Sequence, residues 1–337
     1  MSRCSGSCRS GSRPASPDVG SIEEAAMSIP SGARYRIGGV EFAVVSDGTY
    51  WYDAGAVFGV VPRVMWERVA PPLDERYRIP LGLNCLLLRS RGKTILIETG
   101  VGGKPGDRDA ATPAEDGTLL TSLAALGVTP EAIDIVVNTH LHADHCGWNT
   151  SVAPGLDAPV PTFPNATYVM SSAEWHDATH PNERTRATYL GRNLEPIAER
   201  LTLADGEHAI TDEVIFAPAP GHTEGHSSVI VRSGQEWGIY LGDLAQHRAQ
   251  LERTPWVSGL DVLPLVSMET KKRLMDECIE AGALVMFCHG PYPGVGRMTR
   301  TPEGFRKWED VAPLAHEHAE GEDHGHSHPH PHGQEHA

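Results

Sequence analysis

The sequence predicts a layered α/β protein. Two observations carry that expectation: an apolar hairpin near residue 90, and an alternation of short strand-like and helix-like segments after it, with no repeat at a fixed period. The hairpin consists of residues 85–89 (CLLLR) and 93–98 (KTILIE) around Ser90-Arg91-Gly92, two apolar runs joined by a glycine-containing turn. Residues 118–126 space Leu and Ala at helical intervals and stop at Gly127. Pro130 then opens a short turn before residues 133–137, which read as a buried strand. Further strands are expected over 166–170, 214–217, 228–231, 237–241 and 284–288, and helices over 172–178, 183–200 and 269–281. Upstream, Trp51, Tyr52, Phe58, Val60, Val61 and Trp66 are interrupted by Gly55 and Gly59. They read as an ordered loop that walls an apolar pocket, makes a dimer contact or packs into the core.

At 337 residues the chain is long enough to bury a substantial core. Its formal charge of −16 repels nucleic acid backbones and anionic lipid surfaces, so neither is an expected partner. No apolar run reaches the ~18 residues of a membrane helix, and the first thirty residues lack an apolar signal core; a cytoplasmic protein is expected. The six cysteines are too sparse for a disulfide scaffold and are expected to be reduced.

Three regions differ in composition. Residues 1–30 open with a Ser/Gly/Arg-rich stretch that cannot offset the entropy of ordering and should be disordered, with Met27 an alternative start. Residues 31–313 should form the folded domain. Residues 314–337 hold eight of the 18 histidines, no lysine or arginine and almost no apolar side chain, and should form a disordered tail. Two readings of the tail stand equally: a metal buffer feeding a site elsewhere, or a solvated terminus that binds metal weakly.

The chemistry concentrates just after strand-like runs. Residues 138–145 (NTHLHADH) place three imidazoles and a carboxylate within six positions, a donor set suited to borderline divalent ions. His222, Asp243 and His289 each follow another apolar run in the same manner.

At these residues the chain resembles the metallo-β-lactamase superfamily, in its dinuclear metallohydrolase branch. The motifs are THLHADHCG (139–147), PGHTEGHSS (220–228), YLGDL (240–244) and FCHGPYPGVG (287–296), within a resemblance running from about Phe42 to Met298. The front segment SDGTYWYDAGAVFGVVPRVMWER is most similar to the acyl-homoserine lactonase and methyl parathion hydrolase subgroup. The resemblance implies a four-layer αββα sandwich with metals in a cleft along one edge of two sheets.

It further implies that His140, His142 and His222 hold one metal, that Asp144, His145 and His289 hold a second, and that Asp243 bridges both. Asp144 and Asp243 would be the catalytic carboxylates, with a hydroxide shared between the ions as nucleophile and Asp144 as proton shuttle. His226 and Glu98 would support the ligands by hydrogen bonding; Glu98 stands where the family usually has Asp. β-Lactamases of the superfamily carry a cysteine where this chain has Asp243, and some lactonases carry a tyrosine where it has Gln246. Cys146 is expected to pack rather than react, and His176, His180 and His208 receive no role.

The expectation is therefore a hydrolase with two divalent ions, zinc first and Mn, Fe, Co or Ni compatible, acting on a small-molecule ester or lactone, with homodimerisation possible. Phosphotriester hydrolysis, a glyoxalase II-like thioesterase and a mononuclear-iron sulfur dioxygenase are the alternatives within enzymes. A metal-binding or storage protein is the alternative outside them.

Overall fold

The computed structural model describes residues 33–315 apart from 106, 108–113, 116–118, 153, 154, 156 and 157. The expectations for residues 1–30, for a start at Met27 and for the histidine run from His316 onward lie outside these residues.

Two sheets dominate, and each is built from one contiguous half of the chain. The first follows chain order as β1 (Ala33–Ile37), β2 (Val40–Asp53), β3 (Arg78–Ser90), β4 (Lys93–Ile97), β5 (Ile135–Val137), β6 (Thr167–Ser171) and β7 (Leu201–Ala204). Pairing is antiparallel through β4 and parallel from β4 to β7. The second sheet runs β8 (His208–Ala209), β9 (Val214–Pro218), β10 (Ser227–Ser233), β11 (Glu236–Tyr240), β12 (Leu284–Met286), β13 (Val295–Arg300) and β14 (Arg306–Asp310). Only β11 and β12 pair in parallel there.

The apolar runs are unbroken because both faces of each sheet are covered. Phe42, Val44, Leu86, Leu88, Ile95 and Ile97 point inward against Phe216, Val229, Val231, Tyr240 and Met286, forming the core between the sheets. Their alternating neighbours Ala43, Val45, Leu87 and Leu96 point the other way, against α3 (Leu119–Ala125), α4 (Ser172–Thr179) and α5 (Gly191–Leu194). The outer face of the second sheet packs Ile230, Ile239, Leu241 and Val285 on α6 (Arg248–Glu252) and on Leu274, Met275 and Cys278 of α7 (Pro264–Ala281). The result is the four-layer αββα sandwich.

Two sequence expectations are corrected. Trp51 and Tyr52 lie in β2, not in a loop; the strand passes an irregularity between Ser46 and Thr49 and continues to Asp53. After it, α1 (Ala54–Phe58) and α2 (Arg63–Trp66) bury Val57, Phe58 and Trp66, while Val60 is exposed. Nor is 183–200 one helix. Asn182 Oδ1 accepts from the backbone of Arg184 and Thr185, an Asx turn that holds the chain away from helix, and only α5 and a 3-10 turn through Pro196 follow. Cys85, Cys146, Cys278 and Cys288 are all buried free thiols. Among the described residues no helix is long and apolar enough to cross a membrane.

Candidate metal centre

The strands that carry the site residues deliver them to one edge of the sandwich. Thr139 through His145 follow β5, His222 follows β9, Asp243 follows β11 and His289 follows β12. Glu98 follows β4 and adopts a φ of 65°, a left-handed conformation rare for a non-glycine residue and held here because the Glu98 N–H donates to Val137 O.

All seven candidate ligands converge. The available atoms of His140, His142 and His222 lie within 4.8 Å of one another, and His222 Nε2 is 3.1 Å from His142 Nδ1. Opposite them, Asp144 Oδ2 lies 3.8 Å from His145 Nε2 and 3.6 Å from His289 Nε2. Asp243 stands between the groups: Oδ2 is 3.4 Å from His222 Nε2, whereas Oδ1 is 3.2 Å from His145 Nε2 and 3.0 Å from His289 Nε2.

The donor set fits divalent cations. His140 Nε2, both ring nitrogens of His145 and Asp243 Oδ1 are buried with no hydrogen-bond partner, a costly arrangement for a structural cluster and the expected one for lone pairs that meet an ion. Burial, reinforced by the neighbouring imidazoles, holds His140 and His142 well below the usual histidine range, so both rings are neutral. Burial pushes His145, His222 and His289 the same way, but the nearby carboxylates, Asp243 foremost, outweigh it and raise all three. Burial would raise Asp243, yet His289, His145 and His222 hold it well below the usual carboxylate range.

Hydrogen bonds behind the ligands fix their orientation. His222 Nδ1 is 3.0 Å from Asp261 Oδ1, and His289 Nδ1 is 2.9 Å from Gly82 O. Thr139 Oγ1 lies 3.1 Å from His140 Nδ1 and donates to Glu98, which also accepts from Thr139 N at 2.9 Å. Glu98 Oε1 is 3.6 Å from His145 Nδ1. His226 is not among the converging nitrogens. Its Nδ1 donates to Ala219 O at 2.8 Å, and Nε2 accepts the Asp243 N–H at 3.0 Å, which anchors the backbone of the central carboxylate. Burial pushes His226 down to about 3, consistent with that neutral tautomer.

Gly242 makes this anchor possible. Its φ is 58°, and a Cβ there would sit 2.5 Å from Thr139 Oγ1 and 2.7 Å from His226 Nε2.

Sequence reasoning missed three contributors. Asp261 is a single acid in a loop, 39 positions from its partner, and carries no local signal. Glu174 on α4 is fully buried and accepts from Leu141 N at 2.9 Å, Tyr189 OH at 3.0 Å and Thr223 Oγ1 at 2.5 Å, tying the 140s loop to the 220s loop. Cys288 lies close to His145 and His289. Burial raises its thiol well above the usual range. His176 on α4 and His180 just after it are exposed, and Cys146 is buried in the core as expected.

A cavity of about 440 Å³ opens onto the cluster. His142, Asp144, His222, Asp243 and His289 form its floor, and Tyr50, Tyr52, Leu81, Leu260 and Val262 supply apolar wall.

Comparison with known proteins agrees with this geometry. An N-acyl homoserine lactonase of Bacillus thuringiensis is 22% identical over 218 residues, covering 61% of this chain and 80% of that protein. A probable metallo-hydrolase of Mycobacterium tuberculosis is 28% identical over 238 residues, covering 60% and 72%. Among solved structures, a probable metal-dependent hydrolase from Staphylococcus aureus superposes with a TM-score of 0.74 at 24% identity, covering 83% of this chain and 100% of that one. A dizinc quorum-quenching lactonase superposes at 0.67 and 22% identity, covering 84% and 98%. The sequence profile of the metallo-beta-lactamase superfamily matches residues 78–296, which hold every residue of the converging cluster, and the chain belongs to that superfamily as one of its metal-dependent hydrolases.

Proposed function

We propose that this hydrolase is dinuclear and opens an ester-like bond, with lactones of the acyl-homoserine type as favoured substrates. The observation that carries the proposal is Asp243, whose two carboxylate oxygens face different histidine groups at 3.0–3.4 Å. Two cations a few ångströms apart need a shared anionic ligand of this kind.

In this reading His140, His142 and His222 hold one ion, Asp144, His145 and His289 the other, and Asp243 both. Bound there, two divalent ions supply Lewis acidity and a water acidic enough to ionise near neutral pH. The protein's own groups do the rest. Thr139, Asp261 and the Gly82 carbonyl orient the imidazoles, while His226 and Glu98 fix the loops carrying Asp243 and Thr139. Asp144, whose side chain is 19% exposed toward the cavity, receives and returns a proton at the leaving oxygen. The lactone preference draws on relatives named as N-acyl homoserine lactonases and on the apolar wall, which suits an acyl chain.

The test is elemental analysis of the full chain and of one ending at Ala315, with both assayed on acyl-homoserine lactones, aryl esters, thioesters and a phosphotriester. Close to two ions per shortened chain with lactone turnover supports the reading. Turnover of the phosphotriester or thioester alone moves the substrate class, and one iron with no hydrolysis removes the dinuclear mechanism.

A further inference from the structure

We propose that the Tyr52 hydroxyl is the group that hydrogen-bonds the reacting carbonyl oxygen of the substrate. The inference rests on the hydrolase reading above and adds to it a substrate-contacting residue outside the metal-ligand set.

Position comes first. β2 places Tyr50 and Tyr52 two residues apart, hence on one face, and that face lines the cavity together with Leu81, the cross-strand partner of Tyr50. The two rings lie 5.6 Å apart. The backbone at Tyr52 is held on both sides: it pairs with Ile79 in the ladder, and Asp53 Oδ1 caps α1 by accepting from Ala56 N at 2.7 Å. A hydroxyl carried on such a strand is more precisely placed than one on a loop.

Availability comes second. Two other neutral donors on the cavity wall are engaged elsewhere: Thr188 Oγ1 gives its proton to Thr185 O at 2.7 Å, and Gln246 Nε2 donates to Asp243 Oδ2 at 3.0 Å. The Tyr52 hydroxyl has no hydrogen-bond partner among the described residues although its ring is packed against the α1–α2 cluster. The ring is thus fixed by packing while its hydroxyl is open to the cavity and free to meet a ligand.

Charge comes third. Burial raises the phenol above its ordinary range, and Asp144, Asp53 and Asp243 add to the effect. The group therefore keeps its proton at neutral pH and acts as a donor. Asp144 and Asp243 line the same cavity as Tyr52. A carbonyl oxygen has two lone pairs, so it can accept from Tyr52 without displacing any ligand, and the bond strengthens as negative charge develops on that oxygen.

The experiment compares wild type with Tyr52→Phe, which keeps the ring and its packing. Three quantities are read on the metal-loaded full chain: ion content, kcat and KM for an acyl-homoserine lactone, and the Kd of 3-hexanoylamino-γ-butyrolactam, a hydrolysis-resistant ring amide with the same carbonyl. The expected result is unchanged ion content, a kcat/KM lowered about 10- to 100-fold with most of the loss in kcat, and a lactam Kd raised about tenfold. Lactone turnover and lactam affinity unaffected by Tyr52→Phe would overturn the assignment while leaving the hydrolase reading intact. Wild type that binds the lactam in a Tyr52-dependent way but turns over no lactone keeps the tyrosine's role and removes lactones as the substrate. No lactam binding by wild type overturns the tyrosine's role.

Discussion

Removing the Asp261 carboxylate should weaken one ion far more than the other. His222 Nδ1 is fully buried and 3.0 Å from Asp261 Oδ1, and its other neighbour, Gln246 Nε2 at 3.4 Å, is a donor that cannot take its proton. In Asp261→Ala the ring must either leave a buried N–H unmatched or turn away from its ligand direction. An unmatched buried donor costs about 1–3 kcal/mol, and 1.4 kcal/mol is about tenfold in affinity, so the expected loss is about 5- to 150-fold. That range brackets the roughly 10- to 100-fold typical of losing a hydrogen bond behind a metal ligand. Asp261→Asn keeps an acceptor oxygen and should lose less than about tenfold. The assay is competition for zinc against a chromogenic chelator, resolving two binding steps. The loss should fall on the ion held by His140, His142 and His222. Wild-type affinity for both ions in Asp261→Ala, or an equal loss at both, would refute the reasoning.

Glu174→Ala leaves the Leu141 N–H and the Tyr189 and Thr223 hydroxyls unmatched in the interior, and should destabilise the protein by about 3–5 kcal/mol in denaturant titration; an unchanged midpoint contradicts the bridging role. Gly242→Ala puts a methyl against Thr139 and His226 at a φ of 58°, and activity should drop at least about tenfold with little change in overall secondary structure by circular dichroism. The pH response of stability should reverse with metal. His145, His222 and His289 are raised in the folded metal-free protein, so their contribution is full below the unfolded histidine pKa and lost as pH rises through the raised values. Ions bind the neutral rings, so the loaded protein should instead gain stability as pH rises through the unfolded histidine pKa and level off above it. Urea titrations with and without chelator across the neutral range check the two signs.

The converging residues were legible because each is a polar residue placed directly after an apolar run, and because 138–145 packs four donors into one turn. The strands flanking the core were legible for a related reason: Leu86–Leu88 and Ile95–Ile97 are apolar on both faces, which few structures other than a covered sheet require. What stayed hidden depends on distance or on exceptions. β2 continues past Asp47-Gly48, and Asp47 faces the interior, where it accepts from Val101 N, Gly102 N, Leu119 N and Trp148 Nε1. Pro196 and the Asn182 turn defeat a helix that residue spacing alone favoured across 183–200. Asp261 and Glu174 act through partners 39 and 15–49 positions away, which no local pattern encodes.

Each sheet is one contiguous stretch of chain, and the converging cluster is split between them, with His140, His142, Asp144 and His145 on the first half and His222, Asp243 and His289 on the second. Neither half owns a complete site. An ion bound across this seam therefore acts as a rivet: it has no counterpart in either half alone, and its binding energy is added to the docking of the two. At a free ion concentration a thousandfold above Kd that addition is about 4 kcal/mol, a large share of an ordinary domain's stability. In the dinuclear reading proposed above, metal supply governs how long the assembled chain persists as well as whether it turns over.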